Sequence, residues 1–203
     1  MAEKDARLRL IEASLPLFAT KGYAAVSFKE ISEAAGVNSA LINYYFKSKE
    51  GLYEAVLEAQ FSKFQKLFLE TDWLQVEPPE RIRRFIMNFA QLHRTNPYIR
   101  RLMTSELNHP SPFFDDFAKQ KISRFSGLLV QTIQEGIAKG QFRENINPTQ
   151  AAAIIIGMVN YYFVAENIAK LLLQGEFVDA HDSFGLQAVQ ICFEGILNPD
   201  YQK

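Results

Sequence analysis

Apolar side chains recur at intervals of three or four residues along almost the whole chain, and this spacing constrains the fold more than any other feature. The pattern is clear in residues 8–18 and again from Lys49 to about Glu70. Such spacing places apolar side chains on one face of an α-helix. No Val- or Thr-rich alternating stretch competes with it. The sequence therefore predicts an all-α protein.

Capping signals divide the pattern into about nine helices. Ser27 and Glu30 match the S-x-x-E capping box, and Gly36 is placed to end the short helix that follows. Asn38 and Ser48 are suited to cap the next two helices, the second being the long helix from Lys49. Further helices are predicted from Glu80 to Arg94, from Pro97, from about Pro112 to Lys139, from Pro148 to about Leu173, and from about His181 to Leu197.

Composition and charge exclude several classes of protein. The longest apolar stretch, AAAIIIGMV, is interrupted by Asn160, so no segment reaches the roughly 18 residues that a membrane-spanning helix requires. The N-terminus lacks the apolar core of a signal peptide, and the single cysteine cannot form an internal disulfide. We therefore expect a cytoplasmic protein. The formal net charge of −1 gives no overall attraction to nucleic acid, so any DNA-binding function must depend on where the basic residues lie.

The stretch ISEAAGVNSALINYYFKSKEGLY, residues 31–53, predicts two short helices joined by a turn that contains Gly36. This arrangement is typical of a helix-turn-helix, in which the second helix enters the major groove. Asn, Ser and Tyr side chains can bond to base edges or phosphates, and lysines and helix-start amides suit phosphates. The predicted DNA-contacting residues are Ser27, Asn38, Ser39, Ala40, Asn43, Tyr44, Tyr45, Lys47 and Lys49.

Over residues 5–52 the chain resembles the TetR family of transcriptional regulators. The resemblance rests on Ser27, Ile31, the EAAGV segment, the aromatic YYF segment and SKEGLY. It departs from the family pattern at Asn38 and Asn43, so it does not indicate the operator sequence. The resemblance implies a helix-turn-helix domain over residues 1–48 and a ligand-binding and dimerisation domain over residues 49–203. It also implies a homodimeric, ligand-responsive repressor that binds a palindromic DNA operator.

The last two predicted helices are apolar over more of their surface than one monomer core readily uses, which favours a dimer interface. The alternative is that these residues all serve the monomer core. Glycines at 157, 185 and 195 would allow close approach of a second copy. The apolar residues concerned are Ile154, Ile155, Met158, Phe163, Leu171, Leu172, Val189, Cys192, Phe193 and Ile196.

Aromatic residues of the C-terminal region favour a cavity for an apolar, ring-containing or acyl effector, although the same residues also suit simple packing. Asn88, His93 and Asn160 are the polar anchors in this hypothesis. The long helix from Lys49 is the expected lever between effector and DNA, as the resemblance implies. The other predicted lining residues are Phe64, Phe68, Phe85, Phe89, Met103, Phe125, Met158 and Tyr162.

Catalytic and metal-binding functions find no support in the sequence. No nucleophile has a base at a suitable spacing, no phosphate loop is present, and the three histidines lack ligand-like spacing. We therefore predict no catalytic residues, no metal and no cofactor. Cys192 is interpreted as a small buried residue rather than a redox sensor. The alternative function is an all-helical carrier or enzyme that uses the C-terminal aromatic cavity.

Overall fold

The computed structural model describes residues 2–69, 73–112, 114–165, 168, 171 and 180–196. These residues form helices and contain no β-strand, which confirms the all-α prediction. A 3₁₀ turn covers Trp73–Gln75. The α-helices are α1 (Ala2–Lys21), α2 (Phe28–Ala35), α3 (Ala40–Phe46), α4 (Lys49–Leu69), α5 (Pro78–Thr95), α6 (Pro97–Asn108), α7 (Phe114–Phe117), α8 (Ser123–Ala138), α9 (Pro148–Val164) and α10 (Ala180–Ile196).

Most helix ends lie where the local sequence places them. Gly36 ends α2 with φ 63°, a left-handed conformation that glycine adopts without steric cost. Ser48 accepts a hydrogen bond from the backbone N–H of Gly51 at the start of α4. At α9, Asn147 caps the backbone N–H of Gln150, and Pro148 is the first helical residue. Short-range capping chemistry thus explains these boundaries.

Two predicted helices differ from the observed ones. The helix expected from about Pro112 to Lys139 is interrupted by a π-helical segment over Ala118–Ile122, between α7 and α8. A π-helical turn changes the hydrogen-bond register without a distinct residue composition, so apolar spacing does not reveal it. The helix expected to reach Leu173 ends at Val164, and most of the predicted remainder lies outside the described residues.

The first of two compact units contains residues 1–64 and 96–118. Its core combines side chains from α1 to α4 with Leu102 of α6. Buried Tyr53 of α4 donates a hydrogen bond to buried Glu106 of α6, and burial raises the pKa of Tyr53. Glu106 also accepts hydrogen bonds from the backbone N–H and hydroxyl of Ser111. α6 is therefore part of the N-terminal unit although α5 precedes it in the chain.

The second unit contains residues 65–95 and 119–203. In this unit α5 packs against α8, α9 and α10, and α9 also packs against α8 and α10. The two compact units divide the chain differently from the predicted domains, because residues 49–64 of α4 belong to the first unit. The predicted boundary after residue 48 stays a prediction about function. The most deeply buried apolar residues of the second unit larger than alanine are Ile82, Phe85, Ile86, Leu129, Ile133, Phe142, Ile155, Val159 and Phe163.

A buried arginine fixes the start of α5 to the end of α8. The Arg81 guanidinium lies 2.5 Å from a carboxylate oxygen of Glu135, and its Nε donates to the carbonyl of Val76 at 2.7 Å. Glu135 also pairs with Lys139 at 2.9 Å, and Lys139 and Arg81 together hold its pKa below the usual range. These bonds compensate the desolvated guanidinium. They set the orientation of α5, which carries several of the predicted ligand-binding residues.

Candidate functional site

The turn between α2 and α3 is built by reciprocal capping. The hydroxyl oxygen of Ser27 accepts from the backbone N–H of Glu30 at 3.2 Å, and the Glu30 carboxylate accepts from the backbone N–H of Ser27 at 2.8 Å. At the other end of α2, the N–H groups of Gly36 and Val37 donate to the last helical turn. Both ends of α2 are thereby satisfied, so the direction of the chain entering α3 is fixed.

Burial of two side chains sets the rotation of α3. Ile42 and Phe46 lie four residues apart on one face of the helix and are 0% and 7% exposed. The opposite face carries Ala40, Asn43 and Tyr44, all exposed, and the Tyr44 side chain is 62% exposed. Residues separated by three and four positions share one helical face. α3 therefore presents a continuous outward face of polar and aromatic side chains.

The predicted DNA-contacting residues gather at this helix and its flanking turns. Asn38 accepts a hydrogen bond from the backbone N–H of Ala40 at 2.8 Å, so it stabilises the start of α3. Tyr45 is half-buried and its ring lies edge-on to that of Tyr44, with centroids 5.0 Å apart. Lys49 is also half-buried. The exposed members of the set are Ser27, Asn38, Ser39, Ala40, Asn43, Tyr44 and Lys47.

The junction between α3 and α4 is tight. Lys47 has φ 69° and donates its backbone N–H to the carbonyl of Asn43 at 3.1 Å. A Cβ atom at Gly51 would lie 2.1 Å from the carbonyl oxygen of Phe46. Only glycine allows the first turn of α4 to approach the end of α3 so closely. The orientation of α3 relative to the first turn of α4 is consequently fixed by backbone contact.

Lys49 joins the start of α4 to the loop before α2. Its Nζ donates to the carbonyls of Ala24 at 3.3 Å and Val26 at 3.1 Å, and lies 4.6 Å from the ring centroid of Tyr23. Tyr23 donates to Glu50 at 2.7 Å, and this hydrogen bond is the main cause that lowers the pKa of Glu50 to about 2. Lys49 thus has a positioning role, and its phosphate contact stays a prediction.

A second cluster, centred on His93, lies in the second unit. An amide oxygen only accepts, so His93 Nε2 donates to Asn160 Oδ1 across 3.0 Å. The His93 ring stacks on Phe163 with centroids 5.0 Å apart and lies 4.8 Å from the ring of Phe89. His93 is buried, with 3% of its surface exposed. A polar pair is therefore held inside an aromatic wall contributed by α5 and α9.

Several predicted ligand-binding residues join this cluster, and others do not. Phe85 packs against Phe89 and Phe125 with ring centroids 5.6 and 5.5 Å apart. Met103 belongs to the first unit, where it packs against the N-terminal core. The side chains of Phe64 and Phe68 lie outside the described residues. Asn88, Met158 and Tyr162 are half-buried members of the second unit.

Two aromatic residues of the second unit were missed as candidate ligand contacts. The sequence predicts Phe163 at the dimer interface, whereas in the structure its ring stacks on His93. Phe184 of α10 stacks on Tyr162 with centroids 3.6 Å apart. The position of Phe163, three residues after Asn160 on the same helical face, was the available signal. No local signal connects Phe184 to Tyr162, because the two lie on different helices.

Family comparisons identify both parts of the chain. Residues 10–56 match the family described as bacterial regulatory proteins of the tetR family. Residues 78–190 match the family described as tetracyclin repressor-like, C-terminal domain. None of the helices in the described residues is long and apolar enough to cross a membrane. The matched families contain regulators rather than enzymes, which confirms that the chain is not an enzyme.

Individual relatives agree with this assignment. The chain is 26% identical over 160 residues to the HTH-type transcriptional repressor NicS of Pseudomonas putida, which covers 77% of this chain and 74% of that protein. It is 25% identical over 163 residues to the regulator AcrR of Shigella flexneri, covering 77% and 76%. The fold matches the ketosteroid transcriptional regulator KstR2 of Mycobacterium tuberculosis with a TM-score of 0.74, 18% identity and 95% coverage of each chain. The chain therefore belongs to the TetR family of bacterial transcriptional regulators.

Proposed function

We propose that this regulator recognises a palindromic operator through the outward face of α3 and represses transcription until a small effector releases it. The observation that carries the proposal is the fixed rotation of α3, in which buried Ile42 and Phe46 turn Asn43 and Tyr44 outward. Side chains at such positions of a recognition helix bond to base edges in the major groove. The operator is bacterial DNA, so we place this activity in the cytoplasm.

Footprinting on genomic fragments, including the region upstream of the chain's own gene, tests this proposal. We expect protected half-sites about one helical turn apart, and affinity that falls steeply with salt. Lys47→Ala should weaken binding to every sequence and reduce the salt slope by about one. Lys29→Ala is the matched control, because Lys29 is exposed but pairs with Glu33 at 3.9 Å. Salt-independent binding, or no protected site, would contradict the proposal.

The homodimer is proposed to form through α9 and α10. Ile154 and Tyr161 on α9 are 68% and 71% exposed, and Leu186 and Ile191 on α10 are 55% and 62% exposed. Gly157 has no atom within 4 Å of the position that a Cβ would occupy, so it leaves room for a partner helix. Large apolar side chains exposed together on two neighbouring helices favour an interface.

The residues that we predicted for the dimer interface differ in burial: some are buried in the monomer and others are exposed. Ile155, Phe163, Val189 and Cys192 are buried in the monomer, so the alternative that they serve its core fits them better. Gly185 also faces α5, because a Cβ there would lie 2.8 Å from the sulfur of Met87. Leu172 lies outside the described residues. The exposed apolar residues that support the dimer proposal are Ile154, Tyr161, Leu171, Leu186 and Ile191.

Sedimentation at micromolar concentration tests the dimer. The wild-type chain should sediment as a dimer, and Tyr161→Glu should shift it toward monomer and weaken binding to a two-half-site operator. Leu107→Glu is the control, since Leu107 is 68% exposed but lies on α6 of the first unit, whereas α9 and α10 belong to the second unit. A stable wild-type monomer would remove the dimer, and with it the palindromic operator.

The effector is proposed to be an apolar molecule with a ring or an acyl chain, bound at the aromatic wall around His93. The wall offers ring faces from Phe85, Phe89 and Phe163 and one polar pair, His93 with Asn160. Pockets of this composition bind apolar ligands and use a few polar groups to orient them. α4 is the proposed lever, because its residues belong to both units.

Coupling between effector and DNA requires that the effector bind the DNA-competent and incompetent states unequally, typically by about 1 to 3 kcal/mol. Phe89→Ala should therefore reduce the response to an effector found in a screen of apolar compounds while preserving ligand-free operator binding. We expect the same of Phe64→Ala. Tyr98→Ala is the control, because Tyr98 is a partly exposed aromatic residue of α6. Effectors that bind without changing operator affinity would contradict the coupling.

A further inference from the structure

Basic residues of the N-terminal helices differ in whether an acidic side chain neutralises them. Residues 5–50 contain six lysines and arginines. Three of them form ion pairs within this segment. The pairs are Arg9 with Asp5 at 3.7 Å, Lys21 with Glu30 at 2.5 Å and Lys29 with Glu33 at 3.9 Å.

None of the remaining three cations lies in an ion pair among the described residues. Lys49 is engaged by backbone carbonyls and the ring of Tyr23. Arg7 and Lys47 are both exposed and lie in no ion pair among the described residues. The side chain of Glu3, four residues before Arg7, is outside that description. In the described part of the chain, Arg7 and Lys47 are thus the two unpaired cations of these helices whose residues are exposed, whereas the Lys49 ammonium is held by backbone carbonyls.

These two cations lie at the same end of α3 although α1 supplies one of them. The guanidinium carbon of Arg7 lies 5.2 Å from the ring centroid of Phe46, the last residue of α3. Lys47 follows Phe46 directly and is exposed. The ring of Phe46 is buried against the core, so it gives Arg7 a fixed support. A cation held over an aromatic face keeps its N–H groups available for an anion.

We propose that Arg7 is a DNA-backbone contact that acts with Lys47 at the C-terminal end of α3. The two cations would bind phosphates beside the groove that α3 enters, and so fix its depth and register without reading bases. This inference rests on the proposed function of α3 as the recognition helix. It assigns a DNA-binding residue to α1, which lies outside the two helices, α2 and α3, that form the helix-turn-helix. It also explains how a chain of net charge −1 attracts DNA locally.

The competing role for Arg7 is purely structural, because a cation over Phe46 also stabilises the packing of α1 on α3. Salt dependence separates the two roles. Removal of a phosphate-binding cation lowers the slope of log affinity against log salt by about 0.9. Removal of a side chain that only packs lowers thermal stability and leaves that slope unchanged.

The experiment measures binding of the full chain to a random-sequence duplex and to the footprinted operator across a salt series. Arg7→Gln should weaken binding to both duplexes and lower the slope by about one, and Arg7→Lys should restore the slope. Arg9→Gln is the matched control, since Arg9 lies on the same helix and pairs with Asp5. Arg7→Met places a long uncharged side chain beside Phe46, and the same fall in slope is expected of it if the Gln variant proves less stable.

An unchanged slope in Arg7→Gln and Arg7→Met would overturn the assignment. So would an equal fall in Arg9→Gln, because the effect would then report general charge rather than a contact at Arg7. A wild-type chain with no salt-dependent DNA binding would overturn the proposed function itself. If Lys47→Ala lowers the salt slope and Arg7→Gln leaves it at the wild-type value, only the role of Arg7 is overturned.

Discussion

α3 is proposed to bind DNA through an exposed face, whereas α5 is proposed to bind the effector through a buried face. α3 buries Ile42 and Phe46 and leaves Asn43 and Tyr44 exposed. α5 instead buries the side of the helix that includes Phe85 and His93. On α3 the residues proposed for function are distinct from those that stabilise the fold. On α5 the same side chains form the core and the proposed binding wall, so mutation at α5 affects both stability and function.

The largest expected loss of stability follows from truncation of a buried aromatic residue of α5. Phe85 is 1% exposed, and truncation of a buried Phe to Ala typically lowers the free energy of unfolding by about 3 to 5 kcal/mol. Phe85→Ala should therefore greatly reduce stability in chemical denaturation. Tyr44→Ala, on the exposed face of α3, removes the ring contact with Tyr45 and should lower stability by only about 0.5 to 1.5 kcal/mol. Comparable losses in the two variants would remove the distinction between the helices.

A substitution at Gly51 tests whether the orientation of α3 depends on its backbone contact with α4, and its expected effect is the next largest. Gly51→Ala places a Cβ where the Phe46 carbonyl oxygen lies, and overpacking typically costs about 1 to 3 kcal/mol. We expect lower stability and weaker operator binding. Gly127→Ala is the control, because Gly127 lies within α8 and has no atom within 4 Å of its Cβ position. That change should stabilise the helix by about 0.5 to 1 kcal/mol. If Gly51→Ala leaves the unfolding midpoint and operator affinity intact, the junction is not fixed as described.

A smaller effect concerns the capping box. Lys21 and then the backbone and hydroxyl of Ser27 bond to Glu30 and lower its pKa to about 2. A carboxylate with a lowered folded-state pKa contributes stability above its unfolded pKa, about 4.3, and this contribution is lost as pH falls toward 2. Ser27→Ala should cost about 0.5 to 2 kcal/mol at neutral pH.

The pH dependence of unfolding between about pH 5 and 2 checks the origin of that contribution. Glu30→Gln should flatten this acid limb, because the variant has no carboxylate to protonate at the capping box. Glu33→Gln removes an exposed carboxylate of the same helix and should change the acid limb less. An acid limb in Glu30→Gln that is identical to wild type would show that Glu30 does not contribute.

The helix-turn-helix could be predicted well from sequence because its signals are local. Ser27 with Glu30, Gly36, Asn38 and Ser48 each act within a few residues, so their spacing is visible in the chain. The exposed face of α3 follows from the same helical period. The partners of the basic residues could not be predicted in the same way. Lys49 contacts the loop before α2 and the ring of Tyr23, and Arg7 contacts the ring of Phe46, so both roles depend on contacts between different elements.

The second unit could be predicted less well because its contacts join distant residues. His93 and Asn160 are 67 positions apart, so their hydrogen bond has no local signal. Phe163 and Val189 read from sequence as interface residues, but tertiary packing buries them in the monomer. Glu106 is a similar case, since a carboxylate in an amphipathic helix is usually exposed and this one is buried by its bonds to Tyr53 and Ser111. The helical period predicts which face of a helix is apolar, but it does not predict which other helix packs against that face.

The most direct test of the central claim, that the exposed face of α3 reads the operator, is a base-preference profile from selection on randomised duplex DNA. The variant that combines Asn43→Ala with Tyr44→Ala should lose preference at a few positions of each half-site, by about 1 to 3 kcal/mol for each bidentate hydrogen-bonded pair that the substitutions remove. Its unfolding midpoint should stay well above the temperature of the selection, so that the variant is folded. A profile identical to wild type from the folded variant would contradict the claim that α3 reads the operator.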